Sequence, residues 1–209
     1  MKSTLFPGCL LGVLLLLASP AQAQVSIGIK GGINVTSVST DAGYNTGGVQ
    51  NAFGLHLAAL LEFALSDHFA VQPELNYIQK GYRVDIGTTN VNWIFNQVDI
   101  HLLAKYNYSI SDRFKGYVNA GPTFGPVLDA YKKPDNGDKV VLDFDKDLIK
   151  KWDYGITGGL GFGIVAGEGL LFIDGRYMLS LDDIFEESAN KGKFRRVGFD
   201  YTIGYLVPF

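Results

Sequence analysis

Four titratable residues in the first half of the chain are candidates for acid–base chemistry: His56, Glu62, Asp99 and His101. Imidazole and carboxyl groups are the side chains that most often transfer protons in enzymes. No serine stands at a defined spacing that would complete a hydrolase set, and neither G-x-S-x-G nor H-E-x-x-H occurs. We therefore predict that these four residues pack in a protein interior, that the chain has no catalytic residues and that it is not an enzyme.

Two short motifs resemble ligand sites, but both lack the context that such sites need. Residues 161–166 match the pattern G-x-G-x-x-A, yet a nucleotide fingerprint opens a helix, and this one lies inside a strand-like pattern. Asp143, Asp145 and Asp147 have the spacing of a calcium loop. Leu148 stands where such a loop needs glycine, and no acid occupies the last ligand position. We predict no cofactor, no cofactor-binding residues and no metal-binding residues.

The candidate residues belong to a larger set of charged side chains that alternate with apolar ones. Alternation with a period of two is the pattern of a β-strand. Eight segments show it, although the fifth alternates less clearly: residues 25–35, 53–63, 69–77, 97–108, 115–128, 153–164, 171–180 and 197–209. The charged members of the polar face are Lys30, His56, Glu62, Glu74, Lys80, Asp99, His101, Lys105, Asp153, Asp174, Arg176 and Asp200.

The lengths of these segments and of their connections indicate a membrane barrel. Each segment has about 9–11 residues or more, which is the length of a tilted strand that crosses a membrane. The connections alternate between long (residues 37–50, 83–95, 129–152 and 182–194) and short (residues 66–68, 109–113 and 166–169). Outer-membrane barrels have short periplasmic turns and long external loops. We predict an all-β fold, an eight-stranded antiparallel up-and-down transmembrane β-barrel with both termini at the periplasmic rim.

The predicted barrel has a polar interior and an apolar, lipid-facing exterior. An eight-stranded barrel is only wide enough inside for side chains. Buried charges of opposite sign should pair there, because isolated buried charges are very costly. We therefore predict a lumen filled by paired charges, with an open channel as the alternative. The last strand must pair with the first, since an open sheet edge in lipid would leave backbone groups without partners.

The ends of the chain predict export. Lys2, an apolar run over residues 10–18 and small residues before Ala23 form the pattern of a secretory signal peptide. The run is shorter than the roughly 20 residues of a membrane helix. We predict a signal peptide at residues 1–23 and one outer-membrane β-barrel domain at residues 24–209. The formal net charge of −3 offers no basic surface, so we expect no nucleic-acid partner.

Several segments resemble one known family. Residues 71–81, VQPELNYIQKG, are the most specific, and residues 98–106, 120–125, 153–162 and 176–184 also fit. With these motifs the chain resembles the PorT-type outer-membrane β-barrel family of the Bacteroidetes, over essentially its whole predicted mature length. His101 departs from the pattern, which usually has proline there. The resemblance implies an integral outer-membrane barrel; the member that names the family assists protein export through the type IX secretion route.

Our leading expectation is a monomeric barrel in the outer membrane with a structural or surface-interaction role. The alternatives are a transport or secretion-assisting barrel, a lipid-modifying outer-membrane enzyme, and a soluble lipocalin-like ligand binder with its faces reversed. The expected partners are outer-membrane lipid and an extracellular or secretion-system protein. The terminal Phe209 also resembles the signal that the outer-membrane assembly machinery recognises, which makes that machinery a further expected partner.

Overall fold

The computed structural model describes residues 24–40, 48–86, 89–135, 137–144, 146, 149–184 and 194–209. The predicted signal peptide, residues 1–23, lies outside the described residues, and so do Asp145, Asp147 and Leu148 of the calcium-like motif. Among the described residues, no helix has both the length and the apolar character required to span a membrane.

Eight long strands close into one antiparallel barrel, which confirms the predicted fold class. Each strand pairs with its neighbours in the barrel, and the first strand pairs with the last from Ser26↔Pro208 to Thr40↔Phe194. No strand of the barrel wall is therefore left at an open edge in the membrane. The strands are β1 (Val25–Thr40), β2 (Val49–Ala64), β3 (Phe69–Ile86), β4 (Thr89–Ser109), β5 (Phe114–Pro134), β7 (Trp152–Ala166), β8 (Gly169–Ser180) and β9 (Phe194–Pro208), with a two-residue strand β6 (Val140–Val141) outside the wall.

The two faces of the wall carry the residues that the alternation predicts. Large apolar side chains point outward; Ile29 is 70% exposed and Phe53 is 74% exposed. The intervening residues, such as Lys30 and His56, are buried inside the barrel. Successive side chains of a strand lie on opposite faces, so an uninterrupted period of two fixes this arrangement. The reversed arrangement of a lipocalin-like barrel is not the one that the chain adopts.

The short connections lie where the sequence predicts them, at residues 65–68, 110–113 and 167–168. Gly167 has a φ of +63°, a left-handed conformation that glycine adopts without steric cost. These turns and both described ends of the chain lie at the same rim, because β2 pairs with β1 and β9 ends beside Val25. We call this the short-turn end, and the opposite rim the long-loop end.

The prediction of a long loop at residues 83–95 is wrong. Strand β3 continues to Ile86 and β4 begins at Thr89, and the two pair along this whole length. The alternation continues through the hairpin, but its apolar residues Tyr82, Val84, Val91 and Trp93 take the positions that carry charge lower in the wall. Cross-strand contacts hold the hairpin, including the Tyr82 and Trp93 rings, which stack with centroids 5.8 Å apart.

The wall is uneven at the long-loop end. Strand β7 begins at Trp152, opposite Pro126 of β5. Beyond that level β5 continues to Pro134, paired with β4 on one side and briefly with β6 on the other. The space above β7 and β8 is therefore open to the connection between β5 and β7, which folds over the mouth of the barrel.

Candidate functional site

The central feature of the lumen is a group of two cations and two carboxylates around Arg176. The Arg176 guanidinium donates two hydrogen bonds to Glu74, at 2.8 and 2.9 Å, and its Nε donates one to Asp174 at 3.0 Å. Lys30 Nζ lies 3.0 Å from the second oxygen of Glu74. Lys30, Glu74 and the Asp174–Arg176 pair are on β1, β3 and β8, so the group spans the barrel and is electrically balanced.

A second balanced group lies nearer the long-loop end. Lys80 Nζ is 3.0 Å from an oxygen of Asp99 and 3.0 Å from an oxygen of Asp153. Arg196 Nη1 lies 3.4 Å from the other oxygen of Asp153. Gln97 donates to both oxygens of Asp99 at 2.7 Å. Asp99 thus has a cation and a neutral donor as partners, and Asp153 has two cations. Such complete pairing is the condition for burying a charge without a large penalty in free energy.

The third charge group is a single ion pair, and it lies toward the short-turn end. Lys105 Nζ binds the Glu62 carboxylate and also lies 4.0 Å from the centroid of the Tyr117 ring, a cation–π distance. Glu62 is half-buried, whereas Lys105 is buried. This pair faces a cavity of about 710 Å³ that is lined by polar residues of the short-turn end, including Ser26, Asp67, Lys115 and Glu168.

The first two charge groups lie between two apolar layers. On the long-loop side is an apolar cap, which we define as Phe95, Val127, Ala130, Leu142, Ile149 and Ile184. On the short-turn side is an apolar ring, which we define as Leu60, Tyr117, Phe172 and Leu206. The cap includes three residues from the long connections, so part of the chain outside the wall closes the barrel mouth. The side chains of these two groups are almost fully buried, so their ion pairs are screened little.

Glycines of β7 leave room for the longest inward side chains, as the sequence suggests. Gly159 stands opposite Arg176 in the register, and a Cβ on Gly159 would lie 2.8 Å from Arg176 Cγ. A Cβ on Gly161 would overlap the Tyr117 ring. These glycines therefore make space for side chains from the neighbouring strands β8 and β5.

Three of the four candidate acid–base residues lie together in the lumen, whereas Glu62 lies apart: the ring centroids of His56 and His101 are 6.5 Å apart, and His101 Nε2 is 3.9 Å from Asp99. Glu62 binds Lys105, and Asp99 binds Lys80. His56 lies 3.3 Å from Asp200, and His101 lies 3.5 Å from Glu74. Except for Glu62, all of them are buried, so they are positioned as packing and pairing residues rather than at a surface that a substrate reaches.

Of the two ligand motifs, one lies inside a strand, and Asp143 is the only acidic residue of the other among the described residues. The G-x-G-x-x-A pattern lies within β7 and ends at the turn before β8. Asp143 lies 3.6 Å from Lys146 at the surface, and the described residues contain no group of acidic, histidine or cysteine side chains that could hold a metal ion.

One member of the network was missed by the sequence analysis. Arg196 is buried and binds Asp153, but it precedes the segment that we predicted as the last strand. The signal was present, because Arg196 continues backward the same alternation that places Gly198 and Asp200 inside. Its guanidinium also lies 4.6 Å from the centroid of the Phe95 ring, where it joins the charge groups to the apolar cap.

A closed antiparallel barrel with an apolar exterior and a charged interior defines the class of transmembrane β-barrels. Within that class, the family model described as "outer membrane protein beta-barrel domain" matches residues 20–186, and the chain belongs to this family. Family membership implies the outer membrane as its location. In barrels of this class the short turns face the periplasm and the long loops face the outside.

Several solved structures are similar to this chain. Neisserial surface protein A is 16% identical, with 88% of this chain and 97% of that chain covered and a TM-score of 0.49. Outer membrane protein W of E. coli is 18% identical, with 88% and 98% covered and a TM-score of 0.44. The attachment invasion locus protein Ail of Yersinia pestis, in complex with the heparin analogue sucrose octasulfate, is 11% identical, with 88% and 99% covered and a TM-score of 0.42. Comparison with curated proteins gives no match.

Proposed function

We propose that this protein is a non-conducting, non-enzymatic outer-membrane barrel with a structural or surface-interaction role. The observation that carries the proposal is the balanced set of ion pairs between the apolar ring and the apolar cap. A lumen that is filled in this way offers a rigid wall and no path for a hydrated solute. Among the described residues, the charged side chains of the lumen are buried and lie beside one another, which argues against their use in a lipid-modifying reaction.

The energetic cost of opening the lumen supports this role. Removing one partner of a buried ion pair costs about 3–5 kcal/mol, because the other charge is left uncompensated. A continuous pore would have to separate several such contacts, including both the Arg176–Glu74 and the Lys80–Asp153 contacts. Thermal fluctuation of a barrel that is stable by only about 5–15 kcal/mol would rarely supply that energy.

The long-loop end supplies a surface suited to contact with an extracellular partner. The β3–β4 hairpin and the upper part of β5 project together beyond the rim at Trp152. Arg83 of the hairpin binds Asp135, next to the end of β5, at 2.6 Å, and Lys132 lies 5.8 Å from the Trp93 ring centroid. These contacts hold the projecting sheet in one shape, and a preformed surface loses less entropy on binding.

Planar-bilayer recording tests the filled lumen directly. We expect the unmodified protein to insert without giving a steady current. A matched variant, Glu74→Ala with Arg176→Ala, removes two large side chains at mid-height and shows whether the assay detects a widened lumen. Sustained open-channel currents from the unmodified protein would contradict the proposal and support the transport alternative.

The PorT-type resemblance supports a second candidate, a barrel of the Bacteroidetes that assists type IX secretion. It rests on residues 71–81, and the structure assigns several of them to the lumen: Gln72, Glu74, Asn76 and Lys80 are buried there. The most specific motif therefore encodes the packing of the barrel. Deletion of the gene tests the candidate: normal surface delivery of type IX cargo supports the structural role, and loss of delivery supports the secretion role.

Targeting is the remaining part of the proposal. A signal peptide cleaved after Ala23 and recognition of the terminal Phe209 by the assembly machinery would bring a monomeric barrel to the outer membrane. The Phe209 side chain is 98% exposed, while its backbone N–H donates to Val25 O at 2.7 Å. The side chain is thus accessible at the end of the closing strand. Mass spectrometry of the protein from outer membranes tests the cleavage site; retention of residues before Gln24 would refute it.

A further inference from the structure

One carboxylate in the lumen has no lysine or arginine partner. Among the described residues, six carboxylates and five lysine or arginine side chains face the interior network. The three groups described above each balance internally, and Asp200 is left over. Asp200 pairs with Arg176 in the β8–β9 register, yet Arg176 directs its hydrogen bonds to Glu74 and Asp174.

His56 is the nearest group to the Asp200 carboxylate that can carry a positive charge. Its Nδ1 lies 3.3 Å from Asp200 Oδ1, and no donor among the described residues forms a hydrogen bond of good geometry with either Asp200 oxygen. Both residues are buried. A buried carboxylate with neither a counter-charge nor a hydrogen bond is very costly.

The second ring nitrogen of His56 also faces an oxygen. His56 Nε2 lies 2.9 Å from Asn76 Oδ1. The orientation of that amide is set by its other end, because Asn76 Nδ2 donates to the Asp99 carbonyl at 3.4 Å. Turning the amide over would place its oxygen against the carbonyl oxygen. His56 therefore stands between two acceptors.

A neutral imidazole cannot satisfy both acceptors. With its proton on Nε2, the Nδ1 lone pair would face the Asp200 carboxylate; with its proton on Nδ1, the Nε2 lone pair would face the Asn76 oxygen. Only the imidazolium has an N–H on both sides. We propose that the lumen contains a proton-binding site at His56, and that this proton supplies the positive charge that pairs with Asp200.

The groups around the site support this assignment. On β1, Lys30 is committed to Glu74, and the buried Asn34, which stands opposite Asp200 in the β1–β9 register, forms no hydrogen bond with it or with another described residue. On β4, the His101 ring centroid is 6.5 Å from that of His56, with Nδ1 3.5 Å from Glu74 and Nε2 3.9 Å from Asp99. Those two carboxylates already have lysine or arginine partners, so His101 is not required for charge balance.

The site also connects strands on either side of the closing seam. His56 is on β2, Asn76 is on β3 and Asp200 is on β9, while β1 lies between β2 and β9. Gly32 of β1 pairs with His56 on one side and with Thr202 on the other. Because Gly32 has no side chain, His56 reaches across β1 to the last strand, and the bound proton joins the two ends of the barrel sheet.

Nuclear magnetic resonance of the whole mature protein in lipid nanodiscs, labelled with ¹⁵N-histidine, tests the proposal. The chain has three histidines, so the variants His68→Gln and His101→Gln assign the spectrum. Spectra are recorded above pH ~7.5, where an exposed imidazole is mostly neutral. We expect both nitrogens of His56 to carry a proton.

The variant Asp200→Asn supplies the second measurement. It removes the negative charge with little change of shape, and we expect His56 to lose one of its two N–H signals. A singly protonated His56 in the unmodified protein overturns the proposal, as does a doubly protonated His101 in its place. Because the decisive spectrum is that of the unmodified protein, the result does not depend on whether the variant folds.

Discussion

Replacing Arg176 by methionine should be among the most destabilising single changes in the barrel. The side chain is 2% exposed and makes four hydrogen bonds, two to Glu74 and two to Asp174. Methionine fills a similar volume without the charge, so the change leaves two carboxylates with Lys30 alone. Breaking a buried ion pair of this kind costs about 3–5 kcal/mol, and we expect a loss of that size in the free energy of unfolding.

Urea titration of the protein refolded into phospholipid vesicles measures this loss, with the different gel mobility of folded and unfolded barrels as the readout. The matched control is Lys150→Met, which removes a cation whose pair with Asp182 is 30% and 33% exposed. An exposed pair contributes only about 0–1 kcal/mol. The contrast between the two variants isolates the effect of burial from the effect of losing a charge.

A double variant separates charge balance from the loss of side-chain contacts. Arg176→Met combined with Glu74→Gln leaves Lys30 and Asp174, which again balance. We expect this variant to recover part of the stability that Arg176→Met loses, because the excess negative charge is gone. The reasoning is refuted if Arg176→Met costs no more than Lys150→Met, or if the added Glu74→Gln change makes the protein still less stable.

Four further predictions follow from the same structure. Gly161→Ala places a Cβ against the buried Tyr117 ring and should lower the free energy of unfolding by about 1–3 kcal/mol in urea titration. The control Gly175→Ala, whose Cβ would have only Leu160 O nearby at 4.0 Å, should be neutral. Equal effects of the two changes would contradict the packing argument. Ile149→Ala removes a buried side chain of the apolar cap and should destabilise the barrel by about 2–5 kcal/mol without producing a current in planar bilayers; an unchanged urea midpoint would show that the cap does not contribute to stability. Deletion of Phe209 should cost about 1–3 kcal/mol in micelles yet strongly lower the amount in the outer membrane of cells, and equal cellular amounts would show that the residue has no role in assembly. In cell fractionation the protein should stay in the outer-membrane pellet after a carbonate wash and migrate differently after boiling; release into the soluble fraction would refute membrane integration.

The strands and their faces could be predicted from the sequence because the alternation of apolar and polar residues is visible within each strand by itself. An apolar residue at every second position, as in residues 197–209, identifies both the strand and its lipid-facing side. The same alternation identified nearly all members of the charged interior. In the membrane-spanning part of the wall, the environment differs sharply between the two faces, and the sequence reflects that difference directly.

The pairing of the charges could not be predicted in the same way. Arg176 binds Glu74, which is 102 positions away in the sequence and on a strand that is not its neighbour in the wall. Such contacts depend on the width of the barrel and the stagger of its strands. Neither of these can be read from the sequence of a single segment. The projecting β3–β4 hairpin was missed because its apolar residues, such as Val84 and Trp93, take the positions that carry charge lower in the wall, which reverses the alternation. The apolar cap was missed because Leu142, Ile149 and Ile184 come from connections without a period.

The distribution of the ion pairs also has a consequence for the order of events during synthesis and insertion. Strands β1 to β4 carry Glu74, Lys80 and His56, but their partners Arg176, Asp153 and Asp200 arrive only with β7, β8 and β9. Until then Glu74 has only Lys30 and Lys80 has only Asp99 as an ion partner on these strands, so the inner face of the growing sheet is incompletely paired and stays in contact with water. A chain that stops before β8 therefore cannot form a dry interior, and the difference between a finished barrel and an unfinished one is the presence of water inside it.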